Sequence, residues 1–228
     1  MNYTEAVESI LKNLDTWRHL PKYQLERRAD MFFGLFVRDI VALHLNVALH
    51  RTVIPEFPFK NIRDRNTTVN FDYVLFSEDL RTAYILELKT DAGSVDDEQL
   101  GYLAQARGTK FSALLTGICD VAGKSSQDSK YRYLFRTLEC LKLINSGRNM
   151  GDCTIEDVAI LFLSPRLDGK SYDKVRKILD PCGNDDKNII SFGEAADLLD
   201  RKGGEMECHF AAYLRKWERY PAGSVSYE

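Results

Sequence analysis

Three strand-like runs follow one another at residues 52–59, 68–76 and 82–90, joined only by the short polar stretches NIRDRNTT and SEDLR. Parallel neighbours need a crossover of a dozen or more residues, so runs this closely joined pair as antiparallel neighbours. Pro55 and Pro58 mark the first run as an edge strand, because proline brings no N–H to a ladder. Helical patterns flank this block. Residues 4–16 read as a short helix that Pro21 closes off. Apolar residues at 32, 33, 36, 37, 40, 41, 43 and 47 recur at helical spacing within 23–50. After residue 90, GSVDDEQLGYLAQAR opens another helix, with Ser94 as its expected N-cap and acids in its first turn. KYRYLFRTLECLKLI at 130–144 reads as a helix, while KFSALLTGICDVA fits helix or strand. DVAILFL at 157–163 and KNIISF at 187–192 are strands reached through helices. SYDKVRKIL, residues 193–202 and EMECHFAAYLRKWERY supply the remaining helices. The expected fold is α/β, a mixed central sheet flanked by helices.

The chain of 228 residues, 44% of them hydrophobic, can bury one sizeable core, and a single domain is expected. A net charge of -3 gives no global attraction to nucleic acid, so any such role must rest on a local patch. The acid-bearing opening MNYTEAVESILKNLDTWRHL is no secretory signal, and no apolar run is long enough to span a bilayer. No membrane partner is therefore expected. Five cysteines, widely spread and without a CxxC, point to free thiols in a reducing cytoplasm and away from zinc or iron–sulfur sites. The four histidines form no ligand-spaced pair and are expected to be structural.

Charges inside the third run demand a reason. Side chains alternate along a strand, so Ile85, Glu87 and Lys89 share one face while Tyr84, Leu86 and Leu88 share the other. In the preceding run Asp72 shares a face with Asn70 and Val74. A hairpin turning around 77–81 sets Asp72 opposite about residue 86, within a residue of Glu87; a slip of one would change the face. Two converging carboxylates suit a hard divalent cation such as Mg²⁺. Such an ion polarises a phosphoryl oxygen and lowers the pKa of a water, and a lysine on the same side can orient that water or offset developing charge.

Asp72 in NFDYV and Glu87-Leu88-Lys89 in LELKT resemble the PD-(D/E)XK nuclease superfamily. The resemblance covers roughly residues 23–107, with 157–164 as a fourth core strand. It implies a restriction-endonuclease-like core, with extra helices after about residue 165. It also implies a metal-dependent nuclease acting on nucleic acid, DNA above RNA. Asp72, Glu87 and the Leu88 carbonyl would hold Mg²⁺, or Mn²⁺ in its place, and Lys89 would act on the water. Glu26 in YQLERRAD fits the acid that many members carry on the helix before the sheet, with Asp30 in reserve. Gln99 fits the glutamine of the following helix. Tyr102 stands three residues later where the family often has a tyrosine at four, and Phe71 stands where the motif has proline.

Plainer readings exist for each. Glu87 and Lys89 could be a salt-bridged solvent face of an edge strand, although Ile85 on the same face argues otherwise. Glu26 is favoured in a first helical turn by the macrodipole alone, and Gln99 could be a solvated helix residue. Arg27, Arg28, Lys60, Arg63 and Arg65 could line a phosphate groove or be solvated. Lys130, Arg132 and Arg136 interleave with Tyr131, Tyr133 and Phe135 as on a nucleic-acid surface, yet the aromatic spacing also fits a packed helix, and packing is expected. The alternative function is a nuclease-fold module that binds nucleic acid or a protein partner without hydrolysis. Oligomeric state is left open.

Overall fold

The computed structural model describes residues 2–60, 68–123, 128–146, 153–179 and 186–219. Its sheet has five strands in spatial order β1 (Leu49–Lys60), β2 (Thr68–Ser77), β3 (Thr82–Leu88), β4 (Asp157–Ser164) and β5 (Ile189–Ser191). β1 and β3 both run antiparallel to β2, whereas β4 and β5 are parallel. Eight α-helices are present among the described residues: α1 (Tyr3–Trp17), α2 (Leu25–Leu45), α3 (Asp97–Arg107), α4 (Phe111–Ala122), α5 (Asp128–Cys140), α6 (Gly169–Leu179), α7 (Phe192–Lys202) and α8 (Glu205–Arg219). The fold is thus α/β with a mixed sheet, and the proline-bearing β1 lies at its edge as expected. No helix among the described residues is long and apolar enough to cross a membrane.

Contacts gather the chain into two compact units. The first takes the chain up to Ala48, Glu87–Leu100 and everything from Leu161 on; the second takes Leu49–Leu86 and Gly101–Ile160. In the first, α2 buries Leu25, Ala29, Phe33, Val37 and Ile40 at helical spacing. Phe33 packs on Phe192 of α7 and Phe210 of α8, with ring centroids 5.5 and 5.2 Å apart. Ser191 and Glu194 form a capping box that starts α7, and Gly203, at φ 76, ends it in the left-handed conformation that glycine adopts without strain. In the second unit, Phe111 of α4 packs between Phe57 of β1 and Phe76 of β2.

Several boundaries differ from the sequence expectation. The helix expected to run to residue 50 stops at Leu45. Asn46 turns left-handed there, a conformation asparagine tolerates, and the chain enters β1 at Leu49. The helix after residue 90 begins at Asp97 rather than at Ser94. Ser94 lies in a 3-10 turn, and Asp96 Oδ1 accepts from the Glu98 N–H to cap α3. The ambiguous KFSALLTGICDVA is helix α4, and α5 ends at Cys140, four residues early. Most of the polar connection NIRDRNTT lies outside the described residues, Arg63 and Arg65 included.

Candidate cation and catalytic site

β3 is the third of five strands, so both its edges have neighbours, and every residue from Ala83 to Thr90 is buried. The solvent-face reading of Glu87 and Lys89 is thereby overturned: Glu87 is 1% exposed and Lys89 6%. The Lys89 backbone N–H donates to Leu163 O of β4 at 2.9 Å, which fixes where its side chain starts.

Five sequence candidates meet within the first unit. Lys89 Nζ donates to Glu87 Oε1 at 2.8 Å and to the Leu88 carbonyl at 3.1 Å. Glu26 Oε2 lies 3.8 Å from the same ammonium. The Gln99 amide donates to Glu87 Oε1 as well. Local sequence explains each placement. Glu26 is in the first turn of α2, next to the buried anchor Leu25, and Gln99 is in the first turn of α3, started by the Asp96 cap. Asp30, one turn further along α2, is exposed, and Tyr102 on α3 is half-buried.

Two carboxylates approach one ammonium here; the Glu87 and Lys89 side chains are nearly dry, whereas that of Glu26 is 37% exposed. A lone buried charge costs several kcal/mol, so Glu87 and Lys89 depend on each other. The donors on hand are oxygens. A carboxylate and a backbone carbonyl suit Mg²⁺, which usually takes only one or two protein carboxylates and keeps several waters. Among the described residues no group of three or more His, Cys, Asp or Glu side chains forms a protein-only metal cage.

Asp72 belongs to the second unit. It is half-buried on β2 between the buried Phe71 and Tyr73. Tyr73 pairs with Leu86 and Val74 with Ile85. That register is one residue away from the one the hairpin suggested, in which Tyr73 would face Ile85. Asp72 therefore directly precedes, and Glu87 directly follows, the Tyr73–Leu86 pair.

Arg18 is a buried cation that sequence reasoning missed. It follows α1, is 4% exposed, and stands 3.8 Å from Asp15. Burial lowers its pKa, and the nearby charges of Asp15 and Asp91 pull it back up. Its Nε and Nη1 have no hydrogen-bond partner among the described residues. One arginine at a helix end carries no pattern that could have flagged it. The other basic candidates divide: Arg27 and Arg28 are exposed, and Lys60 pairs with Asp120 at 2.9 Å. His44 Nε2 contacts Lys187 O at 2.8 Å, a structural placement.

No family model matches this chain, and neither a curated protein nor a solved structure matches it.

Proposed function

We propose that the chain is a divalent-metal-dependent nuclease that hydrolyses phosphodiester bonds of nucleic acid, DNA in the first place. The observation that carries this reading is the buried Lys89 ammonium, held by Glu87 and the Leu88 carbonyl and approached by Glu26. Asp72 enters as the second carboxylate through the motif resemblance, NFDYV followed by LELKT.

In this reading Asp72, Glu87 and the Leu88 carbonyl would hold Mg²⁺ or Mn²⁺. The ion would supply Lewis acidity toward a phosphoryl oxygen and a more acidic water. Glu87 can serve Lys89 and a cation together, because an ionised carboxylate has about four acceptor sites on its two oxygens. Gln99 fixes the orientation of that carboxylate. Lys89 would point the attacking water and, as an ammonium, offset negative charge on the phosphorane-like transition state. Glu26 holds the ammonium within reach of that position. A cytoplasmic site of action belongs to the same reading, on five widely spread cysteines without a CxxC.

The test is cleavage of single-stranded, duplex and branched DNA, with RNA alongside, in Mg²⁺, Mn²⁺ or EDTA. Wild type, Lys89→Ala and Asp72→Asn are compared, each checked for folding by circular dichroism. Metal-dependent products are expected from wild type and at least a hundredfold fewer from either variant. A metal-dependent rise in melting temperature should also vanish in Asp72→Asn. Lys89→Ala cleaving at the wild-type rate would refute the mechanism. A second reading has its own support: the Lys89 ammonium already engages the oxygens a metal would use. Folded wild type that neither cleaves nor responds to either metal would shift the reading to a binding module on the same scaffold and make its partner the next question.

A further inference from the structure

The basic and aromatic residues of α5 do not all go to the core. Phe135 does, at 3% exposure, and Tyr131 is half-buried against it, with ring centroids 6.3 Å apart. Tyr133 is 80% exposed. Lys130, Tyr131 and Tyr133 form one wall of a cleft of about 410 Å³ within the second unit, and Pro55, Glu56 and Pro58 of β1 form the facing wall. That volume lies in the range of sites that hold small molecules or parts of larger ones.

The cleft is built for a side-on guest and not for another strand. β1 is the sheet edge, which would ordinarily invite an extended peptide to add to the ladder. Pro55 and Pro58 bring no N–H, and Glu56 between them is left-handed at φ 49, so regular pairing is interrupted there. What the cleft offers instead is rings and charge. Lys130 and Tyr133 line it, and Arg136, outside the lining, follows at i+6 from Lys130 on α5; all three are exposed. A rise of 1.5 Å per residue sets the two cations about 9 Å apart along the helix, with the tyrosine ring between them. Glu56 is the acid that lines the cleft, and its Oε2 accepts from Asn70 Nδ2 at 3.1 Å. Ring faces that accept any base, bracketed by cations spaced to meet a backbone, are the chemistry of single-stranded nucleic-acid binding.

We propose that the β1–α5 cleft is a binding subsite for a nucleic-acid single strand, which stacks a base on Tyr133 and lays its phosphates along Lys130 and Arg136. This subsite does not depend on hydrolysis, and it stands or falls separately from the Glu87–Lys89 site.

The experiment is fluorescence anisotropy of labelled oligo(dT) and oligo(U) twelve-mers with the full chain in EDTA, across a salt series, with a duplex as competitor. Tyr133 is so exposed that its replacement leaves packing intact. Tyr133→Ala is expected to weaken single-strand binding about tenfold, while Tyr133→Phe retains it. The double variant Lys130→Ala/Arg136→Ala is expected to weaken binding and to flatten the salt slope by about 1.4, the share of two phosphates on a single strand. The dT and U arms tell whether the guest is DNA or RNA. Wild type that binds neither, or Tyr133→Ala binding as tightly as wild type, overturns the proposal. So does a proline-rich peptide that binds in a Tyr133-dependent way while the oligonucleotides do not. Binding that survives in Lys89→Ala while cleavage is lost separates the two sites.

Discussion

Two ion pairs in this molecule have nearly the same geometry and opposite surroundings. Lys89 and Glu87 are 2.8 Å apart, with side chains 7% and 2% exposed; Lys174 and Asp97 are 2.9 Å apart, at 52% and 76%. Distance therefore says little about what each contributes. The exposed pair is solvated whether or not it forms, and such pairs are worth about 0–1 kcal/mol. The buried pair has given up its water, and its attraction does little more than offset that loss. A chain needing only stability would do as well with apolar side chains at 87 and 89. The contrast identifies the buried pair as the one whose presence stability does not account for.

Three measurements would break or sharpen that contrast. The largest effect is expected from Lys89→Met, which strands the Glu87 carboxylate. Chemical denaturation should show a loss of about 3 kcal/mol, near the low end for a broken buried pair because Gln99 still donates to Glu87. A domain of ordinary stability survives that loss. The double variant Glu87→Met/Lys89→Met should recover the loss or exceed wild type. If the double variant were as unstable as the single, the pair would be a structural element and its functional reading would weaken.

An intermediate effect is expected at Arg18, a buried cation without the partners Lys89 has. Arg18→Met removes two unpartnered nitrogens, while Asp15 keeps its bond from Trp217 Nε1. Stability should rise by about 1 kcal/mol or stay level. A loss above about 2 kcal/mol would show that the guanidinium is satisfied in solution, and would make its role near Asp91 the next question. The smallest effect belongs to Lys174 and Asp97. A double-mutant cycle with alanine should return a coupling of about 0.5 kcal/mol at low salt that fades as salt screens it. A coupling that resists salt would mean the exposed pair belongs to a larger network.

Much of the architecture was legible because it rests on local chemistry. Short polar connections fixed the antiparallel order of β1 to β3, the prolines fixed β1 at the edge, and helical spacing located α1, α2 and α8. Boundaries were less legible where single residues decide them. The apolar Val47 continues a helical pattern that the left-handed Asn46 ends, and Asp96 outcompetes Ser94 as a cap. At the site, Glu87 and Lys89 stood out because charge inside an apolar strand needs a partner. Glu26 and Gln99 could be singled out only through the resemblance, since first-turn acids and solvated helix glutamines are common. The burial of Arg18 and the split of the α5 aromatics are tertiary facts, set by which neighbours arrive from elsewhere in the chain.

One feature of β3 bears on how the chain reaches this state. Its partner on one side, β2, is the other arm of a tight hairpin, but β4, which receives the Lys89 N–H at Leu163, lies far along the sequence. Local pairing forms early and distant pairing late. In the interval β3 presents an open edge with the composition of an adhesive strand, TAYILEL, interrupted by one acid. A charge pointing into such a surface makes pairing with a second copy unfavourable. An acid at position 87 is thus the kind of residue that disfavours pairing of this strand with a second copy.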